Sequence, residues 1–226
     1  MAYSLLFDGA NDRVSTQQIV DMSSPVKFIW RGKFDFLAGA DRGIFSSWNV
    51  AVFRFVCWYD NPDGFRLVIQ HNNTDYTNTS VPPFSTDTLY RIEVSFNSGV
   101  NVEIVIFDET GGTLFASRSF TIPALTNTGK ELSIGDDRSL SRPFSGKLYG
   151  FEIVEDEAIT RFYDPSASNG SGQFLPDTVG TTNALLDSFP TDDSQWVFYS
   201  TGPNTPINPS ITNLLATSAR LNWEQG

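Results

Sequence analysis

One cysteine and one histidine are all that 226 residues hold of the two side chains most used for soft-metal ligation and nucleophilic chemistry. With Cys57 alone, no internal disulfide can form, and stability has to come from buried apolar surface. Such a chain suits assembly in a reducing cytoplasm. Zinc centres built from Cys/His clusters are excluded, and no Gly-rich phosphate loop is present. Charge is sparse as well, at 18% of residues, and it is mostly of one sign: 26 acidic against 15 basic side chains give a formal net charge of -11. That field repels phosphate backbones and anionic headgroups, which argues against nucleic acid as a partner. Long apolar runs are missing too. The stretch from Val102 to Phe107 is interrupted by Glu103 and is far too short to insert in a membrane as a helix. Met1-Ala2-Tyr3-Ser4-Leu5-Leu6 has neither a basic nor a long apolar signal region, so no classical secretion route is expected.

Helical periodicity is almost absent, and only Thr182 to Ser188 and Glu155 to Phe162 are expected to hold a short helical turn. What the chain has in quantity is aromatic and β-branched residues, with 19 Phe, 7 Tyr and 5 Trp. Val26 to Phe36 alternates apolar and polar residues. Tyr90 to Phe96 does so cleanly, placing Tyr90, Ile92, Val94 and Phe96 on one face and Arg91, Glu93 and Ser95 on the other. Val50 to Tyr59 and Phe65 to Gln70 flank Asp60-Asn61-Pro62-Asp63-Gly64, and Val102 to Phe107 and Thr113 to Phe120 flank Asp108-Glu109-Thr110-Gly111-Gly112. Both read as hairpins. Glu131 to Ile134 and Lys147 to Val154 complete a set of short, evenly spaced strands, and these predict an all-β, antiparallel β-sandwich. Phe53, Phe55, Tyr90, Ile92, Val94, Phe96, Leu148 and Ile153 are the expected core.

Two stretches carry a resemblance. Leu5-Leu6-Phe7-Asp8-Gly9-Ala10-Asn11-Asp12-Arg13-Val14 resembles the opening strand and turn of laminin-G-like domains in the concanavalin-A-like lectin group. Leu132-Ser133-Ile134-Gly135-Asp136, followed by Phe144-Ser145-Gly146-Lys147-Leu148-Tyr149-Gly150-Phe151-Glu152-Ile153, resembles their closing signature. The resemblance implies a jelly-roll topology over residues 1 to about 163. From Asp164 the chain turns rich in Ser, Gly, Asn and Pro, and is expected to run over the surface before a last ordered piece at Asp192 to Tyr199. The domain is therefore placed at 1–200, with a Pro-rich linker at 201–209. Residues 210–226, with Pro209-Ser210-Ile211-Thr212-Asn213 and Leu221-Asn222-Trp223, resemble the first strands of a fibronectin type III domain. The segment from Arg161-Phe162-Tyr163-Asp164-Pro165 onward is similar to segments that follow such domains in phage tail and virion proteins.

Some relatives of this fold are glycosidases, whose retaining members need two carboxyl groups about 5–5.5 Å apart. The compact acidic strand motif of those enzymes is absent; Glu152 to Glu157 and Glu103 to Asp108 are the nearest runs, and neither matches. No catalytic residue is assigned. For calcium, the resemblance implicates the loop after Ile134, hence Asp136 and Asp137 with Asn49, and the Asp60, Asn61, Asp63 turn is a lesser candidate. For sugar, aromatic faces beside polar readers point to Trp48, Arg54, Trp58 and Tyr59, with Trp58 expected to face outward. The resulting expectation is a non-enzymatic interaction module on a phage tail or capsid surface, assembled in a bacterial cytoplasm. Its partners would be other virion proteins or further copies of itself, met through sandwich edges and the C-terminal segment, and host surface glycans. The alternative is a calcium-dependent lectin domain of a larger bacterial protein.

Overall fold

Alternation of apolar and polar side chains along short strands is realised almost throughout the molecule. The computed structural model describes residues 2–35, 41–49, 53–60, 64–71, 74–78, 83–86, 88–97, 100–124, 131–136 and 142–199, with the backbone alone at 48, 49, 53, 54, 70, 71, 75 and 78. The expected linker at 201–209 and the fibronectin-like stretch at 210–226 lie outside the described residues.

In chain order the strands are β1 (Ala2–Asp8), β2 (Arg13–Ile19), β3 (Val26–Phe34), β4 (Arg42–Asn49), β5 (Phe53–Asp60), β6 (Gly64–His71), β7 (Thr74–Asn78) and β8 (Tyr90–Asn97). They continue with β9 (Asn101–Asp108), β10 (Thr113–Thr121), β11 (Glu131–Ile134), β12 (Ser145–Glu155), β13 (Ala158–Tyr163), β14 (Phe174–Leu175), β15 (Ala184–Asp187) and β16 (Trp196–Tyr199). A 3-10 turn at Pro165–Ala167 is capped by the Asp164 carboxylate, which accepts from the Ser166 amide. The first sheet runs β10-β9-β8-β3-β12-β1-β16, with β13 also paired to β12, and the second runs β14-β15-β2-β11-β4-β5-β6-β7. All pairings are antiparallel, and consecutive strands repeatedly cross between sheets, which makes the fold a jelly-roll sandwich.

The core lies between the sheets. Tyr90, Ile92, Val94 and Phe96 of β8 are all buried, as are Phe55, Leu148 and Ile153; the Phe53 side chain lies outside the described residues. Phe28 of β3 stacks on Phe55 at 5.2 Å and meets Phe45, Phe96 and Phe151 at 5.9, 6.1 and 6.3 Å, so one ring ties both sheets together. Burying one such ring stabilises the fold by about 1.5–3 kcal/mol. Two glycines of the closing signature are fixed by the same packing. Gly135 has φ +86, and a Cβ there would fall 2.2 Å from the Phe7 ring; at Gly146 it would fall 2.0 Å from the Lys33 carbonyl oxygen.

Three features differ from the sequence expectation. The stretches expected to turn as helix became β13 and β15, because pairing with β12 and β2 satisfies their backbone groups along whole edges. Strand β2 hides its alternation behind a register shift around Gln17, which has φ +57, and β4 does so behind a shift between Gly43 and Phe45. Lastly, the chain beyond residue 163 is structural. Where a surface run was expected, it adds β14 and β15 to the second sheet beside β2 and buries Leu175, Ala184, Leu186 and Phe189, while β16, within the ordered piece expected at Asp192 to Tyr199, joins the first sheet beside β1 and buries Trp196.

Candidate functional site

The four residues expected to read sugar are not brought together. Trp48 pairs with Arg54 at one end of the β4–β5 hairpin, whereas Trp58 and Tyr59 face Gly43 and Arg42 at the other. Arg54 and Trp58 stand four positions apart on β5, roughly 13 Å of strand. Of Trp48 and Arg54 only the backbone is described. Tyr59, named with them as a sugar reader, shares the inward face of β5 with Phe55 and Cys57: it is 3% exposed, with its ring 5.8 Å from both Phe34 and Phe84. Burial pushes its phenol pKa up, with smaller contributions from Asp60 and Tyr90. Trp58 alternates to the outer side as expected, yet only 5% of it is exposed, because the guanidinium groups of Arg142 and Arg66 cover its ring at 4.5 and 5.5 Å.

Of the expected calcium ligands Asn49, Asp136 and Asp137, only Asp136 has a described side chain. The Gly135 amide donates to the Ile44 carbonyl at 2.8 Å, which sets Asp136 near the start of β4; its own carbonyl accepts from the Ser46 hydroxyl at 2.9 Å. Asn49 closes β4 three residues beyond Ser46, roughly 10 Å along the strand. Of Asn49 only the backbone is described. Asp137, Asn61 and Asp63 lie outside the described residues. Among the described residues no group of three or more His, Cys, Asp or Glu side chains is placed to hold a metal. Cys57 is fully buried, and burial raises its thiol pKa well above the ordinary value, so it is held as an inert apolar group.

The polar constellation that the fold does assemble lies on the outer face of the first sheet. Antiparallel register sets Arg31 of β3 beside Arg91 of β8, and Arg91 beside Phe107 of β9. The Arg91 guanidinium lies 4.1 Å from the Phe107 ring centre. Arg31 is held between two carboxylates, Glu152 in direct contact and Glu109 at 3.5 Å; Arg91 reaches Glu109 at 3.4 Å and Glu93 at 3.0 Å, and Lys27 reaches Glu93 at 3.4 Å. These groups are fixed and half-desolvated. Glu109 Oε2 is buried with no hydrogen-bond partner, and desolvation raises the Glu109 pKa against the opposing pull of Arg31 and Arg91. Toward the β8–β10 end of the same face, a shallow depression of about 380 Å³ is lined by Asn97, Asn101, Glu103, Ser119, Phe120 and Thr121. Alternation made Arg91 and Glu93 legible as outward residues. Glu109 read only as part of a turn, and nothing local signals that it folds back over two arginines.

Neither of the two nearest carboxylate pairs among the described residues has hydrolytic geometry. Glu103 on β9 and Glu155 on β12 are three strand spacings apart, roughly 14 Å, and Glu155 is taken by the Thr160 hydroxyl at 2.6 Å. Between Glu109 and Glu152 stands the Arg31 guanidinium, where a glycosidic oxygen would have to lie.

No family model matches the sequence, and no curated protein matches it. Its fold, in contrast, matches several solved structures. A protein of Bacteroides ovatus ATCC 8483, described as a candidate carbohydrate binding protein, is 14% identical with a TM-score of 0.56, over 83% of this chain and 59% of that one. The LG1-3 region of the laminin alpha2 chain is 9% identical with a TM-score of 0.56, over 80% and 34%. The enzymatically active domain of bacteriophage CBA120 tailspike protein 2 is 11% identical with a TM-score of 0.53, over 67% and 25%. This chain thus spans less than two thirds of each of these structures. At such identities the likeness is one of fold, and the fold is the concanavalin-A/laminin-G-like jelly roll.

Proposed function

We propose that this chain is a non-catalytic carbohydrate-binding module whose site is the outer face of the first sheet. The observation that carries this reading is the array of Arg31, Arg91, Glu93 and Glu109, held by mutual ion pairs on the outer face of the sheet. Pre-aimed carboxylate and guanidinium groups read sugar hydroxyls with little ordering cost. Farther along the same face the depression offers amide, hydroxyl and carboxylate groups for hydroxyl-bearing rings. An open sheet face suits binding of a chain along its length.

The setting we infer is the surface of a phage tail or capsid, where such a module touches host glycans and neighbouring virion proteins. This setting is supported by the resemblance of the segment from Arg161 onward to phage virion proteins. The reading is tested on a glycan array followed by calorimetry. Neutral oligosaccharides are expected to bind without being hydrolysed, and Glu109→Gln is expected to weaken binding about tenfold, because its amide can neither hold the arginines nor accept as a carboxylate does. Stable multimers with no glycan hit would replace this reading with a purely architectural one. Binding that vanishes on chelation would favour a calcium-dependent lectin domain centred on the Asp136–Asp137 turn.

A further inference from the structure

We propose that Asn169–Gly170 is a self-modification site, at which the chain converts Asn169 to isoaspartate and thereby loosens β16. Asn169 is the one asparagine of the sequence that is followed by glycine. Ring closure of an asparagine joins its side-chain carbonyl carbon to the next backbone nitrogen, and a glycine there puts no side chain in the path. The loop between the 3-10 turn and β14 presents both groups. Asn169 is exposed, and Gly170 has φ +84, a backbone conformation that favours glycine. The Asn169 Oδ1 accepts from the Ser171 amide at 3.1 Å and from the Ser171 hydroxyl at 2.9 Å. Two donors on one carbonyl oxygen draw electrons from Cγ and are already placed for the oxyanion that forms when Cγ is attacked. The Gly170 amide donates to the Ser168 hydroxyl at 3.1 Å, which gives its proton a route away from the nitrogen.

In the reaction the Gly170 nitrogen loses its proton and bonds to Asn169 Cγ, the Cγ–Nδ2 bond breaks, and the proton leaves with Nδ2 as ammonia. Water then opens the five-membered imide. Opening at the Asn169 backbone carbonyl leaves isoaspartate, with the main chain rerouted through Cβ and Cγ; opening at Cγ leaves aspartate. Either product adds a negative charge, and isoaspartate also adds one backbone atom. The surrounding contacts leave no slack for that atom. A Cβ at Gly170 would fall 2.5 Å from the Tyr3 ring, so the loop already lies against β1. Two residues on, the Gly172 carbonyl accepts from Trp196 Nε1 at 3.0 Å and from the Gln195 side chain at 3.2 Å, while its amide donates to Asp193 Oδ1 at 2.8 Å. A longer chain between these two anchors has to release one of them, and the bonds to Trp196 and Gln195 are the ones that hold β16. The new carboxylate also stands in a loop that is bonded to Asp193, where like charges repel.

The test is ageing of the whole folded chain for weeks at neutral pH and physiological temperature, followed by peptide mass mapping with fragmentation that distinguishes the two linkages. Residue 169 is expected to be the first asparagine to exchange amide for acid, with isoaspartate the main product. The rate is expected to rise with pH, because the attacking nitrogen has to lose its proton. Ser171→Ala and Ser168→Ala are each expected to slow conversion about threefold, the worth of one exposed hydrogen bond. Asn169→Gln, which would have to close a larger ring, is expected to stop it. As conversion proceeds, hydrogen exchange across 196–199 is expected to quicken and the melting temperature to fall by roughly 2–4 °C. No conversion at 169, or another asparagine converting first, overturns the proposal without needing any variant. Serine variants that convert at the wild-type rate overturn the part given to the two hydroxyls. Complete conversion with unchanged exchange across 196–199 and an unchanged melt overturns the link to β16.

Discussion

Asp12 is 1% exposed in the turn between β1 and β2, with one carboxylate oxygen accepting from the Asp8 amide at 2.8 Å and the other without a partner. Desolvation, the largest cause, raises its pKa to about 6, against the lowering effect of the Asp8 amide and with the Asp8 charge adding to the rise. The folded chain therefore holds this proton more tightly than the unfolded one, whose aspartates titrate near 4. The sign follows from proton linkage: stability contributed by the protonated form is complete below about pH 4 and is lost as pH rises through about 6. Asp12→Asn keeps the acceptor for the Asp8 amide and removes the ionisation. Measured by urea unfolding, the variant's stability relative to wild type is expected to rise between about pH 4 and 7, by an amount on the order of 1–3 kcal/mol. A difference that stays flat across that range would show that Asp12 ionises in the fold at no cost.

Among the elements, β16 decides whether the segment after residue 163 belongs to the sandwich. Its Trp196 pairs with Leu5 and is 7% exposed, and its indole Nε1 donates to the Gly172 carbonyl at 3.0 Å. The same carbonyl accepts from the Gln195 side chain at 3.2 Å, so this short strand is held to the loop that leads into β14 as well as to β1. Asp177 secures the other end of the extension, where its Oδ1 accepts from the amides of Phe162, Val179 and Gly180 at 3.1, 3.2 and 2.8 Å. Truncating Trp196 to Ala is expected to cost about 3–5 kcal/mol of unfolding free energy, as for other buried large-to-small changes. An effect under about 1 kcal/mol would mean that β16 is an ornament on a sandwich already complete at Tyr163.

For the molecule as a whole, β16 ends the described chain at Tyr199, where both sheets are already built and their common core is filled. The residues from 206 to 226 carry Ile211, Leu214, Leu221 and Trp223, too few apolar side chains to offset the entropy of ordering a separate domain. Deleting 206–226 is expected to leave the melting temperature of the sandwich within a degree or two while impairing assembly with partner chains, read by calorimetry and by sizing of the assembled particle. Loss of the folded sandwich would place that segment within the domain core.

Alternation alone determined which face of β8 is buried, where the β5–β6 and β9–β10 hairpins lie, and that the molecule is an antiparallel sandwich, because strand periodicity is written locally in side-chain order. The glycines of the two signatures were visible as letters; that Gly135 and Gly146 must be glycine became clear only against Phe7 and Lys33, which come from other strands. Strands β2 and β4 escaped notice because register shifts break the period that reveals a strand. The sites were the least legible. Trp58 and Tyr59 are adjacent in sequence, yet the pleat sends one into the core and leaves the other beneath two arginines from β6 and from the turn before β12. Glu109 meets Arg31 and Arg91 across long sequence separations. Such encounters depend on strand order and register, which are set when the two sheets bury a common core, and no local pattern encodes them.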